Sequence, residues 1–561
     1  MQFKLLGDND LENPIETIFI NRGVKDSFSL LTCDESSEIH FSNLINIDCA
    51  VSCLLKHVEH ESEIFIQVDS DIDGFNSSAI LISYLTRTFP KIKINWRLQD
   101  GKEHGVMVEK IPDTTSLVII PDAGSNQYDE HKCLKEKGMD VIVLDHHEAT
   151  KQSDYAIVVN NQLSPNYPNK NLSGAGIVYK FCQALDSKLN HAYADDYLDL
   201  VAFGNIGDIM DLRELETRYY VKEGLKQIKN PLIRALVEKQ EYSLKGNVNI
   251  IGASFYIVPL INAGIRAGTK KDKEDMMRSL LGVDEQVYYK RGKSYEPLHQ
   301  SVARNLSNLR NRQNKAKQVG VEILLSEIDA NLKEKVIILD VTDILDKNLT
   351  GLVANQLVDR YKRPVVLLRK RKKGVLSGSA RGYEKSGVND FKEFLTSTGL
   401  FVFCEGHNNA FGVEIIEENL HSLKEYIINS FPETKSNLEE VEVDFILSND
   451  DIDKNFILSI AEYKDEWGSN IKEPLIGFKD IPVQVSEVYL NGNKRKLLKF
   501  YQSGIDFIKP YFKEEDYIKD FNEGETAYLD IVGKCQINEW DGKSKPQIEI
   551  KDYEITELLY F

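Results

Sequence analysis

Residues 64–74 read IFIQVDSDIDG, a short apolar run ending in three carboxylates, Asp69, Asp71 and Asp73. The same design recurs twice. LVIIPDAG (117–124) ends in Asp122, and VIVLDHH (141–147) ends in Asp145, His146 and His147. Continuous β-branched runs of this length, bounded by polar turns, read as strands buried on both faces, the pattern of a parallel sheet between helices. The spacers suit helical crossovers: SSAILISYLTR (77–87) has helical periodicity, and 128–138 reads as a shorter polar helix closed by Gly138. Open parallel sheets bind ligands beyond the carboxyl ends of their strands. One aspartate after a strand is an ordinary turn residue. Three such endings, without a competing Lys or Arg, point to a shared site.

Carboxylates with imidazole and without thiols select hard to borderline divalent ions, Mg2+ or Mn2+, and the histidine tilts the choice towards Mn2+. The D-x-D spacing lets Asp71 and Asp73 face one cavity, and Asp122 from a neighbouring strand can bridge two ions. A two-ion site can activate water and stabilise the attacking and leaving oxygens of a phosphodiester. Farther on, residues 198–226 read as a helical stretch containing Gly204-Asn205-Ile206-Gly207-Asp208. In that small and apolar setting Asp208 needs a partner, and a metal supplies one.

Outward from the site, 561 residues exceed one hydrophobic core, so two to four domains are expected. Seven cysteines at irregular spacing, with no CxxC, argue against a disulfide frame or a structural zinc. Apolar runs are read as interrupted by Asp, Lys or Glu before the roughly 18 residues of a membrane helix. The start, MQFKLLGDNDLENP, carries no secretory pattern. A cytoplasmic protein with no membrane partner is therefore expected. The net charge of −19 reads first as solvated acidic faces. The basic runs RPVVLLRKRKKG (363–374) and NGNKRKLLKF (491–500) still permit a groove for a polyanion. Residues 1–60 read as a partly helical lead-in, and 271–320 as long connecting helices without strand patterning. A second α/β pattern begins at KVIIL (335–339), followed by a helix (351–361) and a strand (364–368). The last 120 residues alternate as in a small β-barrel, where Trp540 is either core or a base-stacking platform.

The ordered set DxDxDG, PDxG, DHH and GxxxD resembles the signature of the DHH phosphoesterase superfamily. Further segments are similar to its RecJ branch. LSGAGIVYKF (172–181) and PLINAGIRAG (259–268) resemble elements following the DHH motif. LTGLVANQLVDRYKRPVVLL (349–368), GSARG (378–382) and EGHNNAFG (405–412) resemble the DHH-associated domain with its Ser/Arg loop and glycine loop. LDIVGKCQINEWDGKSKPQIEIKD (529–552) resembles the OB-fold tail of bacterial RecJ.

The resemblance implies an α/β protein: lead-in (1–60), parallel-sheet DHH domain (61–270), helical connector (271–325), smaller α/β DHH-associated domain (326–440) and C-terminal OB-fold β-barrel (441–561). It implies two Mn2+ or Mg2+ ions held by Asp71, Asp73, Asp122, His146 and Asp208. His147 would contact the scissile phosphate or orient a ligand, Asp145 would support the histidines, and Asp69 would assist. Arg97, Arg266, Ser379, Arg381 and His407 would bind substrate. The implied activity is 5′→3′ hydrolysis of single-stranded DNA to 5′-mononucleotides in recombination, repair or replication. The implied protein is a monomer, with a single-strand-binding protein or helicase as candidate partners. Two rivals stand beside it: an RNA or short-oligonucleotide phosphodiesterase with the same site, and a non-catalytic replication scaffold. Departures from the family pattern lie at Glu405, Phe411, Leu260 and the GNIGD motif. They leave the metal ligands intact and bear on the fit of the nucleotide.

Overall fold

The computed structural model describes residues 1–99, 105–329, 334–432, 440–492, 496–521, 523–540 and 543–560. Residues 493–495 of the basic run and the Trp540 side chain lie outside the described residues. The chain divides into two compact units: Met1–Asn262 with Lys273–Ala303 and Leu438–Phe561, and Ala263–Asp272 with Arg304–Asn437.

In the larger unit the chain begins with β1 (Gln2–Leu5) and reaches helix α1 (Ile47–Glu59). The quoted stretch forms β2 (Glu63–Val68) and opens α2 (Ile72–Thr88). There follow β3 (Lys93–Leu98), β4 (Leu117–Pro121), α3 (Tyr128–Glu136), β5 (Asp140–Asp145), β6 (Ile157–Asn160) and α4 (Gly174–Leu189). The five strands lie in the order β3-β2-β4-β5-β6, and every pairing is parallel. Phe65, Val118, Ile120, Val141 and Val143 pack with Leu134 of α3 on one face. The alternate residues Ile64, Ile66, Ile119, Ile142 and Leu144 are equally buried. Each such side chain contributes roughly 1.5–3 kcal/mol on burial, which makes the sheet a firm base for the loops at its carboxyl edge. The chain leaves β2 for β3 on one side and returns to β4 on the other. The crevice of the fold thus opens between β2 and β4, where Asp71 and Asp122 begin the loops.

The helical stretch expected over 198–226 is two helices, α5 (Leu198–Gly207) and α6 (Leu215–Lys226). Ile209 takes a left-handed φ of 57°. The Asp211 carboxylate accepts from the Arg213 amide at 2.9 Å and from its guanidinium, a local pattern that competes with the helical ladder. A second correction concerns membrane-like segments. Ile250–Ala267 contains no Asp, Lys or Glu and is long and apolar enough to cross a membrane by length and composition; 56% of it is buried within the protein. A third concerns 271–320. This span includes a β-hairpin, β7 (Gln286–Tyr289) and β8 (Ser294–Pro297), because Val287, Tyr288, Tyr289 and Tyr295 flank a Lys-Arg-Gly-Lys turn. Helix α7 (Leu298–Asp329) then leads from the residues of the first unit into those of the second.

The second unit contains β9 (Ile337–Asp340), α8 (Thr350–Tyr361), β10 (Val365–Lys372), β11 (Val375–Arg381), β12 (Phe401–His407) and β13 (Ala410–Ile416). Its sheet runs β12-β13-β11-β10-β9, parallel at β9–β10 and antiparallel elsewhere. The two loops expected at 378–382 and 405–412 are therefore mostly strand. Ser379 and Arg381 sit on β11, His407 ends β12, and only 408–409 turn. Gly378 makes this possible, since a Cβ there would meet the Leu367 carbonyl oxygen of β10 at 1.8 Å.

The chain then rejoins the first unit. β14 (Glu440–Val443) pairs in parallel with β1, and Arg22 is ion-paired with Asp444. The lead-in is thereby stitched to the C-terminal segment. Seven strands follow: β15 (Phe445–Leu447), β16 (Ile476–Gln484), β17 (Tyr489–Asn491), β18 (Leu497–Gln502), β19 (Ile505–Pro510), β20 (Thr526–Trp540) and β21 (Lys543–Leu559). They form one sheet in the order β15-β16-β20-β21-β19-β18-β17, packed around Phe478, Phe500, Phe507, Ile531 and Ile548.

Candidate metal centre

Three strand ends and one helix end deliver the charged groups. After β2, Asp71 caps α2 by accepting from the Gly74 amide at 2.9 Å. Asp73, in the first turn of α2, accepts from the amides of Gly174 (2.6 Å) and Ala175 (3.1 Å) at the start of α4. After β4, Asp122 adopts a left-handed φ of 61°, a conformation Asp tolerates better than most residues. After β5 come Asp145, His146 and His147, and Asp208 caps the C-terminus of α5.

These side chains converge. His146 Nε2 lies 3.3 Å from Asp122 Oδ1, 3.4 Å from Asp208 Oδ2 and 3.8 Å from Asp73 Oδ2. Ligand atoms of Asp69, Asp71 and Asp122 lie within 4.8 Å of one another, as do those of Asp122, His146 and His147. Asp69 is thus brought into the cluster, where it also accepts from the Gly105 amide at 3.3 Å. Glycines admit this crowding. A Cβ at Gly174 would meet Asp122 Oδ1 at 2.4 Å, and one at Gly204 would meet Asp73 Oδ1 at 2.4 Å. The sequence reading missed both as site residues. The Gly-Ala-Gly and GxxxD motifs were the signal, with no hint of which side chain each glycine accommodates.

The electrostatics are those of crowded, buried carboxylates. Burial, with the charges of Asp69 and Asp73, pushes Asp71 up to about 6. Burial and the neighbouring carboxylates raise Asp122 well above the usual range, and burial with Asp73 and Asp71 pushes Asp208 up to about 8. Among the described residues, neither oxygen of Asp122 nor Nε2 of His146 has a hydrogen-bond partner, although all three atoms are buried. Such orphans are costly unless something cationic binds them. Divalent ions taken by oxygen and imidazole donors fit this set.

Asp145 behaves differently. Its carboxylate accepts from the amides of Ser125 (3.0 Å), His146 (2.8 Å) and His147 (3.2 Å) and from His147 Nδ1 (2.8 Å). Burial alone would raise its pKa, yet these bonds and the two histidines hold it below the ordinary carboxylate range. Burial would likewise lower His147, but Asp145, Asp208 and Asp71 raise it to about 9. His146, buried and beside a charged His147, is lowered despite Asp73. One imidazole is thus kept neutral, as a ligand requires, and its neighbour charged. Asn160 and Gln162 fix the loop by donating to the carbonyls of His147 (2.9 Å) and His146 (3.1 Å).

The expected substrate residues fall into separate places. Arg97 lies within β3, and its guanidinium donates to Gln67 Oε1 at 3.4 Å. In the second unit, Ser379 Oγ is 2.9 Å from Thr350 Oγ1 at the start of α8, and Arg266 lends its carbonyl to Asn348 at 2.6 Å. A Cβ at Gly351 would meet an Arg381 guanidinium nitrogen at 2.7 Å. Burial, with the Arg266 charge nearby, lowers both Arg381 and Arg310, the latter on α7 and not foreseen. His407 is exposed, on the same sheet rung as Arg381 with Ala410 between them.

Residues 63–205 match the DHH family N-terminal domain, and residues 443–552 match the RecJ OB domain. YorK of the SPbeta prophage in Bacillus subtilis, a chain whose name describes a single-strand DNA-specific exonuclease, is 46% identical over 99% of this chain and 98% of its own length. RecJ of Bacillus subtilis is 27% identical over 90% of this chain, which spans 63% of that longer protein. The structure of RecJ in complex with Mn2+ from Thermus thermophilus superimposes with a TM-score of 0.74, at 21% identity over 100% of this chain and 80% of that one. The chain belongs to the RecJ branch of the DHH family.

Proposed function

We propose that this protein is a metal-dependent exonuclease that degrades single-stranded DNA from its 5′ end to 5′-mononucleotides. The observation that carries this reading is the buried Asp122–His146 pair, whose carboxylate oxygens and Nε2 have no hydrogen-bond partner among the described residues, at the centre of a carboxylate cluster. The names of YorK and of the RecJ relatives support the substrate class. Asp71, Asp73, Asp122, His146 and Asp208 hold two Mn2+ or Mg2+ ions. When bound, such ions supply a nucleophilic water at neutral pH and stabilise charge on the phosphate.

The chain's own groups do the rest. His147, held charged by Asp145, donates its Nε2–H to a non-bridging phosphate oxygen. Asp145 orients both histidines, as supporting carboxylates do at metal sites. Asp69 assists Asp71 at the crevice. Arg266, Ser379 and Arg381 take a phosphate of the strand, since paired guanidinium and hydroxyl donors suit its oxygens. Arg97 and His407 add further contacts to the substrate, and the C-terminal sheet holds the strand. We assign 61–270 to the catalytic domain, 271–325 to the connector, 326–440 to the associated domain and 441–561 to the OB domain, after the lead-in 1–60. A cytoplasmic monomer serving recombination, repair or replication, alone or with a single-strand-binding protein or helicase, fits this reading.

Digestion of 5′-labelled single-stranded DNA, RNA and duplex with Mn2+, beside Asp122→Ala, tests it. Mononucleotide release from the DNA strand alone is expected. Cleavage of no strand by the parent chain sinks the enzyme reading, and preferential cleavage of RNA replaces the substrate.

A further inference from the structure

The hairpin β7–β8 forms a two-stranded sheet of its own, an arrangement marginal in water without support. Its base is anchored: the Leu298 amide donates to the Glu285 carbonyl at 2.8 Å, and Arg278 is ion-paired with Glu285. Beyond that base the two faces differ. Val287 and Tyr289 are half-buried, whereas Gln286, Tyr288 and Tyr295 point outward. Tyr288 is 55% exposed and Tyr295 71%. They stand directly opposite in register, with ring centroids 5.4 Å apart at 61°. Where this protein uses tyrosine structurally, the ring is buried and its hydroxyl is bound. Tyr84, Tyr167 and Tyr179 donate to Asp186, Glu216 and Asp195 at 2.6–2.7 Å. The hairpin pair follows neither habit. At its tip Lys290, Arg291 and Lys293 are all exposed, a concentration of cations in a chain of net charge −19.

Paired exposed aromatics beside clustered cations are complementary to a flexible polyanion carrying flat apolar bases. We propose that this hairpin is a second contact for single-stranded DNA: Tyr288 and Tyr295 stack on bases, and Lys290, Arg291 and Lys293 meet the phosphates. The substrate class rests on the reading given above; the contact itself is independent of cleavage. A cross-strand aromatic pair can by itself steady a hairpin, but that role needs no basic tip beside the rings.

The experiment uses the full chain. With Mn2+ and a dT30 strand, the Tyr288→Ala/Tyr295→Ala variant is expected to raise KM roughly tenfold with kcat little changed, because base stacking is lost. Tyr288→Phe/Tyr295→Phe is expected to behave as the parent, which separates stacking from a folding defect. Lys290→Ala/Arg291→Ala/Lys293→Ala should flatten the dependence of log affinity on log salt by about 2, at about 0.7 per cation. Direct contact is read from Tyr295→Trp, whose indole emission, taken as the difference from the parent chain with its three tryptophans, is expected to be quenched by dT30 in EDTA, where no strand is cut. An unquenched indole, or an unchanged KM in the alanine pair, overturns the proposal and leaves the face to a protein partner. Quenching by rU30 but not dT30 overturns the choice of DNA. Because the quenching arm needs no cleavage, it survives a failure of the nuclease reading, and the two failures are distinguishable.

Discussion

The protein holds two clusters of like charge, and they are built in opposite ways. In the larger unit, Asp73, Asp122 and Asp208 crowd around His146, with Asp69 and Asp71 beside Asp122; burial and the neighbouring carboxylates raise the proton affinities of Asp71, Asp122 and Asp208. In the smaller unit, Arg310 and Arg381 are lowered by burial and by the charge of Arg266. Carboxylates can shed their mutual repulsion by keeping protons, so the acidic cluster is a reservoir that a cation empties. Guanidinium cannot shed its charge in this pH range. The basic cluster must instead spread out, stay partly hydrated or bind an anion. The first is thus deeply buried and precise, and the second partly exposed and carried on elements of several kinds: the helix Val258–Ala267, α7 and β11.

The comparison breaks most sharply at Asp122. Asp122→Asn is expected to reduce turnover by roughly three orders of magnitude or more, since under the proposed function it removes a carboxylate that would hold the ions. The same change should stabilise the metal-free chain by about 0.5–2 kcal/mol, because asparagine keeps the shape and is neutral without taking up the proton that the crowded Asp122 must hold. Initial rates with saturating Mn2+ and thermal unfolding in EDTA check the pair of effects. Equal loss of both would mean that Asp122 serves the fold and not the ions.

Asp145 comes next. It accepts four hydrogen bonds, and an asparagine there would turn an amide group towards donors. Asp145→Asn is expected to lower activity or Mn2+ affinity roughly 10–100-fold, the usual cost of losing a carboxylate behind a ligand histidine. Titration of Mn2+ against activity separates the two. A loss confined to kcat would assign Asp145 to His147 and the phosphate contact rather than to the metal.

In the basic cluster, single losses should be milder because neighbours remain. Arg381→Ala is expected to raise KM roughly tenfold for a 5′-phosphorylated strand, and much less for one ending in a hydroxyl. Thermal stability should hold or rise, since repulsion from Arg266 is relieved. An equal effect on both strands would place Arg381 away from the terminal phosphate.

The acidic site was legible because its parts are local: three apolar runs each end in their charged residues, and burial on both faces of a parallel sheet leaves little choice of direction. Asp208 was legible for the same reason, being a charge in an apolar context. What escaped depends on approach between distant segments. The need for Gly174 and Gly204 is visible only once α4 and α5 lie against Asp122 and Asp73. Ser379 and Arg381 read as a loop because GSARG is rich in small residues, yet those small residues serve a strand pressed against β10. The β7–β8 hairpin was hidden by the charged tip that separates its aromatic strands. The break after Asp208 needed side-chain bonds to the backbone that no periodicity carries.

The last expected effect is the smallest, and its sign follows from the acidic cluster. Asp71, Asp122 and Asp208 have folded-state pKa values above the roughly 3.9 of an unfolded aspartate. Between that value and the raised ones, the native chain binds more protons than the unfolded chain, so rising pH favours unfolding. The stability these groups contribute is complete below about pH 4 and is lost as pH rises through 6 and 8. A divalent cation displaces those protons and reverses the loss. The gain in Tm on adding Mn2+ is therefore expected to grow by a few degrees from pH 6 to pH 8 in the parent chain. In Asp122→Asn the gain should be smaller at every pH. A gain independent of pH would mean that the carboxylates are already ionised without metal, and the contrast between a proton-holding acidic cluster and a permanently charged basic one would fall.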